Sequence, residues 1–160
     1  MSAWTTADLS DARPEAATAV PVLRHFGGVR RFCGPIRTVR IFEDNVLVLE
    51  TLRQAPAGSV VVADGGGSVR VALMGDRLAG IAIDQGLAGV VINGCIRDSA
   101  EIGSMAIGVM AVGTVPRRSA KRGEGERDVE VTFGGVTFLP GAWLYADEDG
   151  ILVVSERIHG

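Results

Sequence analysis

A mixed α/β fold is what this sequence predicts. Three observations predict it: short apolar runs separated by glycine-rich turns, helix-compatible apolar spacing between them, and a recurring strand, loop, helix, strand order. The 160 residues suit a single compact domain, residues 1–160, with a sizeable core. Leu23–Phe26, Arg31–Cys33 and Ile36–Phe42 are expected strands, punctuated by Gly27-Gly28 and Gly34-Pro35. Asn45–Gln54 has helical apolar spacing, an Asp44 or Asn45 cap, and a break at Pro56 and Gly58. Ser59–Ala63 is an apolar strand running into Asp64-Gly65-Gly66-Gly67. Gly75 opens a second helix carrying Leu78, Ile81 and Ala82, which Gly86 stops. Ala88–Ile92 reads as a buried strand ending before Arg97. Ile107–Val112 continues the pattern, Val129–Phe133 and Val136–Phe138 flank Gly134-Gly135 as a hairpin, and Ile151–Val154 is a last strand.

Composition excludes several classes. Apolar residues make up 47% and charged residues 22%, an ordinary globular balance. No segment approaches the ~18 apolar residues of a membrane span. The stretch MSAWTTADLSDARPEAA is acidic and polar where a secretory signal is basic and then apolar, so the cytoplasm is the expected compartment. A formal net charge of -3 disfavours direct nucleic acid binding, although basic residues cluster from Arg117 to Arg127. Cys33 and Cys95 form no CxxC pair and are expected to be small buried residues. With His25 and His159 as the only histidines, a Cys-His or Ser-His-Asp enzyme and a multi-histidine zinc site are disfavoured.

The glycine run is a candidate phosphate or nucleotide loop that fails on residues. Counted from Gly65, GxGxxG needs a third glycine where Arg70 stands, and no GxxxxGK[ST] occurs. VVVADGGGS is a weak match to the acidic turn of a methyltransferase. Tight turning of the backbone explains these glycines more simply, and room for a small ligand is a third reading.

Asp76, Arg97 and Asp98 are the strongest chemical candidates. Asp76 stands at an expected helix start and Arg97-Asp98 just past an expected strand end, the edge where open α/β sheets place ligands. Two carboxylates and a guanidinium at one place can bind a cation and an oxyanion together. Each also has a simpler reading: Asp76 as a helix cap, Arg97-Asp98 as a solvated loop pair.

GDRLA, the Asp-x20-Arg-Asp spacing, GVVINGCIRD and ERDVEVTFGGVTFLPGAWLYADEDGILV resemble the regulator of ribonuclease E activity A family, which includes the class II 4-hydroxy-4-methyl-2-oxoglutarate aldolases. The resemblance runs from about Phe32 to Val154. It implies a swivelling β/β/α domain, as in phosphohistidine domains, and a ring-shaped homotrimer with active sites between subunits. It makes Asp98 the direct ligand of a divalent cation, Mg or Mn, with Asp76 acting through a metal-bound water, a donor set suited to a hard cation. It places the carboxylate of a small keto-acid substrate on backbone N–H groups of Gly75, Asp76, Arg77 and Leu78, and the keto oxygen on Arg97. Retro-aldol cleavage to two pyruvates and oxaloacetate decarboxylation would share one enolate.

Lys121 is the only lysine, so a Schiff-base aldolase would have to use it. It lies in the polar stretch PRRSAKRGEGERD with Arg117, Arg118 and Arg122, where no apolar burial is indicated, and matches a family lysine near the substrate. An auxiliary contact to an anionic substrate is the expected role. Larger aldolases of the family add a C-terminal extension that supplies an acid to the neighbouring subunit. This sequence runs to Gly160 without it, leaving Glu101, Glu124, Glu148, Asp149 and Glu156 as candidates. The rival function is a non-catalytic regulator that binds an RNA-degrading endonuclease of the ribonuclease E type as its protein partner.

Overall fold

Strands that are apolar on both faces need cover on both sides, and this decides the layering. The computed structural model describes residues 3–159. The first half runs α1 (Thr6–Ala12), β1 (Ala17–Thr18), β2 (Arg24–His25), β3 (Phe32–Arg40), α2 (Val46–Gln54), β4 (Val60–Asp64), β5 (Ala72–Met74) and α3 (Asp76–Asp84). The second runs β6 (Gly89–Ile96), α4 (Ser99–Ile102), β7 (Gly108–Thr114), β8 (Glu126–Arg127), β9 (Val131–Phe133), β10 (Val136–Phe138), β11 (Trp143–Asp147) and β12 (Gly150–Val154). The main sheet has the order β1-β12-β11-β3-β4-β6-β7-β2, with β5 also on β6 and β8 also on β3. The pairs β3–β4, β4–β6, β5–β6 and β6–β7 are parallel.

Alternation along the parallel strands sorts the core into two layers. Val61, Ala63, Val90 and Ile92 meet Val48 and Leu52 of α2 and Leu78 and Ala82 of α3. Val60, Val62 and Val91 meet Phe133 and Phe138 of the β9–β10 hairpin. The hairpin, the sheet and the helices thus stack as β/β/α. Phe133 and Phe138 stack at 4.6 Å between ring centroids, and burial of such a ring contributes about 1.5–3 kcal/mol.

Several elements depart from the sequence expectation. Gly34-Pro35 does not punctuate: β3 runs through it unbroken. Its first residues pair with β11 and those from Ile36 onward with β4, so Pro35 sits where the strand changes partner and its missing N–H costs no ladder bond. Gly34 is required by a close approach, since a Cβ there would overlap the Gly58 carbonyl. The strands β1, β5, β8 and β11 and the helices α1 and α4 lie outside the elements that the sequence predicts. Cys33 is half-buried, with Sγ 3.9 Å from His159 Nε2, whereas Cys95 is buried as expected. Burial raises both thiols, against the Arg157 charge in the case of Cys33, so neither is an activated nucleophile. Among the described residues no helix is long and apolar enough to cross a membrane.

The end of β11 ties α1 to the sheet through one buried carboxylate. Asp147 Oδ2 accepts the Thr6 N–H at 2.7 Å, and Oδ1 accepts the Thr6 hydroxyl at 2.6 Å and the Asp149 N–H at 3.0 Å. Burial pushes this carboxyl up, but the bonds from Thr6 and Asp149 outweigh it and hold the group below its ordinary value. A depressed folded-state value stabilises above the unfolded value of about 3.9 and is lost as pH falls through the folded one. Asp147→Asn should therefore cost about 1–3 kcal/mol near neutral pH, and the gap to the wild type should shrink below about pH 4. Urea unfolding across a pH series measures it.

Candidate active site

Two chain segments leave the sheet side by side because β5 lies parallel to the end of β6. The Arg97 N–H donates to the Met74 carbonyl at 2.9 Å, so Gly75-Asp76 and Arg97-Asp98 become neighbours. Asp98 adopts a left-handed backbone, φ 57° and ψ 39°, a conformation that Asp and Asn tolerate better than other side chains. The turn aims its carboxylate back at α3, where Oδ2 accepts the Asp76 N–H at 3.0 Å. The N-cap of α3 is Gly75, which offers no side chain, and Asp76 is the first helical residue. The cap is therefore supplied by Asp98, from 22 residues away. This rules out the simpler reading of Asp76 as its own helix's cap. A Cβ on Gly75 would overlap Asp98 Oδ2, so glycine is what lets the carboxylate approach.

The same helix start leaves donors free. The first intrahelical acceptor is Gly75 O, taken by the Ala79 N–H at 3.1 Å, so the N–H groups of Arg77 and Leu78 have no partner within the helix. Leu78 is buried and borders the cleft. Arg97 is exposed and makes one long bond, Nη1 to the Pro116 carbonyl at 3.4 Å. Opposite, Lys121 Nζ donates to Asn45 Oδ1 at 3.2 Å, and Asn45 Nδ2 donates to the Leu73 carbonyl at 3.1 Å.

All seven residues singled out in the sequence, Gly75, Asp76, Arg77, Leu78, Arg97, Asp98 and Lys121, line one cleft of about 100 Å³. Asn45, Ala72, Met74, Arg118 and Ser119 complete its wall. Asn45 carried a signal, an amide at a helix start, but that signal reads as a cap. A wider hollow of about 350 Å³, lined by Ser99, Thr114, Val115 and Pro116, shares Arg97 and Asp98. None of Glu101, Glu124, Glu148, Asp149 and Glu156 lines the cleft. Glu148 and Asp149 border a separate cavity of about 300 Å³ at the β11–β12 turn.

The donor set discriminates among metals. Among the described residues no three His, Cys, Asp or Glu side chains gather at one point, which does not suit tetrahedral zinc. Asp76 and Asp98 have no ion-pair partner there. One or two carboxylates completed by water and substrate oxygens fit a hydrated Mg or Mn ion.

The glycine turn offers no comparable site. The Gly65 and Gly67 N–H groups donate to the Asn93 carbonyl at 3.0 and 3.1 Å, and the Gly66 N–H to Asp64 Oδ1 at 2.9 Å. Asn93 Nδ2 donates to the same Asp64 oxygen at 3.0 Å. The donors and the acid that a nucleotide or S-adenosylmethionine would need are used internally.

Comparison with known proteins fits this geometry to a family. The RraA-like family model, described as Aldolase/RraA, matches residues 6–153. The chain belongs to the RraA-like family. An Aromatoleum aromaticum relative named "Putative 4-hydroxy-4-methyl-2-oxoglutarate aldolase" is 52% identical over 151 residues, covering 94% of this chain and 95% of its own. A Deinococcus radiodurans relative of the same name is 53% identical over 149 residues, 93% of each chain. Among solved structures, the RNA-processing inhibitor RraA from Thermus thermophilus has a TM-score of 0.94 at 48% identity, covering 100% of this chain and 97% of its own. A Geobacillus kaustophilus protein named S-adenosylmethionine:2-dimethylmenaquinone methyltransferase has a TM-score of 0.95 at 56% identity, covering 97% of both. The β/β/α stack of this RraA-like chain is the swivelling fold. The names support aldolase, hence lyase, chemistry at the level of the family. The glycine turn, with its donors used internally, gives no support to methyl transfer.

Gly75→Ala separates stability from the site. Its Cβ meets the movable end of the Asp98 side chain, so the protein should fold with a loss of about 1 kcal/mol or less. The Asp98 carboxylate should be displaced, and aldolase activity should fall at least about tenfold. Calorimetry and an aldolase assay on one preparation read both.

Proposed function

We propose that this RraA-like protein is a divalent-metal-dependent aldolase that cleaves 4-hydroxy-4-methyl-2-oxoglutarate to two pyruvates and decarboxylates oxaloacetate at the same site. The observation that carries the reading is the Asp98 carboxylate turned by a left-handed backbone onto the Asp76 N–H, beside Arg97. Bound Mg or Mn supplies Lewis-acid polarisation of the substrate's keto oxygen. Asp98 would hold that ion directly and Asp76 would act through water.

The backbone N–H groups of Arg77 and Leu78 receive the carboxylate next to the keto group, helped by the positive end of α3. Gly75 makes room for the Asp98 carboxylate and the Asp76 N–H keeps it in place, so that N–H is not among the donors to the substrate. Arg97 donates to the keto oxygen. Lys121 and Arg118 meet the far carboxylate. Cleavage transfers the C4 hydroxyl proton through water to Asp76, and C4 becomes the carbonyl of the first pyruvate. The C3–C4 electron pair moves into C2–C3, and charge grows on the oxygen facing Arg97. The proton taken up by Asp76 returns through water to C3, which completes the second pyruvate and restores the carboxylate. Loss of carbon dioxide from oxaloacetate leaves the same enolate. A preorganised donor such as Arg97 contributes a few kcal/mol to such a step.

The exposed hollow beside Ser99 and Thr114 suits cover by a second copy, in line with a homotrimer whose active sites lie between subunits. Light scattering tests this directly. Likeness to an RNA-processing inhibitor favours a second reading, binding of an RNA-degrading endonuclease. That role needs no intact cleft, and the presence of Asp76, Arg97 and Asp98 together favours the enzyme.

Arg97→Ala should lower kcat/KM for pyruvate release about 100-fold or more, and chelation should do the same to the wild type. Lys121→Ala should raise KM and leave kcat nearly intact. Equal rates in wild type, Arg97→Ala and chelated samples would sink the aldolase; pyruvate trapped on Lys121 by borohydride would replace it with a Schiff-base mechanism.

A further inference from the structure

Lys121 sits on a stretch rich in cationic side chains, yet Lys121 and Arg118 are the two that line the cleft. What holds this stretch is a carboxylate outside the cleft. Asp44 is 1% exposed. Its Oδ1 accepts the Val46 N–H at 3.1 Å, and its Oδ2 accepts the N–H groups of Arg122 at 2.8 Å and Glu124 at 3.3 Å. One side chain therefore joins the start of α2 to residues 122–124. Around it, the Ala120 N–H donates to the Glu43 carbonyl at 2.9 Å and the Asn45 N–H to the Ala120 carbonyl at 3.3 Å. Lys121 lies between these tethers, and its ammonium reaches Asn45 Oδ1. Among the described residues Asp44 has no ion-pair partner. Burial pushes its carboxyl up, but the backbone donors prevail and keep it charged.

We infer that Asp44 is a positioning residue: by clamping residues 120–124 to the start of α2 it sets the Lys121 ammonium over the cleft for the far carboxylate of the substrate. The substrate role rests on the aldolase reading; the clamp itself does not. An acceptor on both oxygens is essential, because an amide at this position turns an NH2 toward N–H donors on one side. Asp44→Asn therefore frees either the helix or the cationic stretch.

The sole lysine makes its placement measurable without any activity. Brief acetic anhydride treatment and peptide mass spectrometry should find Lys121 acetylated about threefold or more faster in folded Asp44→Asn than in wild type, as expected for an amine released from its acceptor. With Mg and 4-hydroxy-4-methyl-2-oxoglutarate, KM should rise about tenfold with kcat within about twofold, and adding Lys121→Ala should worsen KM no further than Lys121→Ala alone. Asp44→Ser, which keeps an acceptor for the Val46 N–H and gives up Oδ2, should give the same pattern and serves if the amide variant does not fold. Unchanged acetylation, or losses that multiply in the double variant, would overturn the inference. An Arg97→Ala enzyme as active as wild type would instead overturn the aldolase and leave the acetylation result to decide the clamp.

Discussion

The last rung of a short parallel ladder, the Arg97 N–H on the Met74 carbonyl, decides where the charged groups of the cleft stand. β6 pairs with β4 over Gly89–Asn93 and with β5 at Cys95 and Ile96. This change of partner brings a second chain to the end of β6, and that chain turns at once into α3. A helix start and a strand end are thereby fixed against each other by main-chain bonds. Backbone hydrogen bonds set such distances more tightly than flexible side chains can, which is what binding a reacting group demands.

On that frame the carboxylates and cations take separate places. Asp98 is bent back over Gly75 and capped onto α3, while Arg97 leans the other way toward Pro116. Lys121 faces them from residues 120–124, a segment held to the start of α2 by Asp44, which does not line the cleft, and by Asn45, which does. Carboxylates and cationic side chains thus stand side by side within one small space. A keto acid, with its carboxylate and polarisable carbonyl on neighbouring carbons, matches that pairing.

Much of the frame is legible in the sequence, for identifiable reasons. α3 and β6 are readable because spacing near 3.6 gives way, after Gly86, to an unbroken apolar run. The β9–β10 hairpin is readable from its paired glycines. β5 is not, since Ala72–Met74 is too short to carry a period, and without it the closeness of Met74 to Arg97 cannot be derived. The Gly34-Pro35 pair misleads because a strand that changes partner tolerates proline and a close approach demands glycine. Asp76, Arg97 and Asp98 could be named from their spacing, but the capping of α3 by Asp98 depends on a left-handed turn that no local pattern announces. Asn45 and Asp44 read as helix caps; their contacts with residues 120–124 span more than 70 positions and arise from tertiary structure alone.

The junction between α3 and β6 lies at the opposite end of the sheet from the cleft. Its Gly86 has φ 78° and its carbonyl receives the Gly58 N–H. The distance between Gly75 and Asp98 in space is set by the ladder and not by the number of residues joining them. The junction is therefore the place where the chain can be lengthened, or cut and rejoined elsewhere, with the least disturbance to chemistry. Spacing that serves to identify the site in sequence is, mechanically, slack.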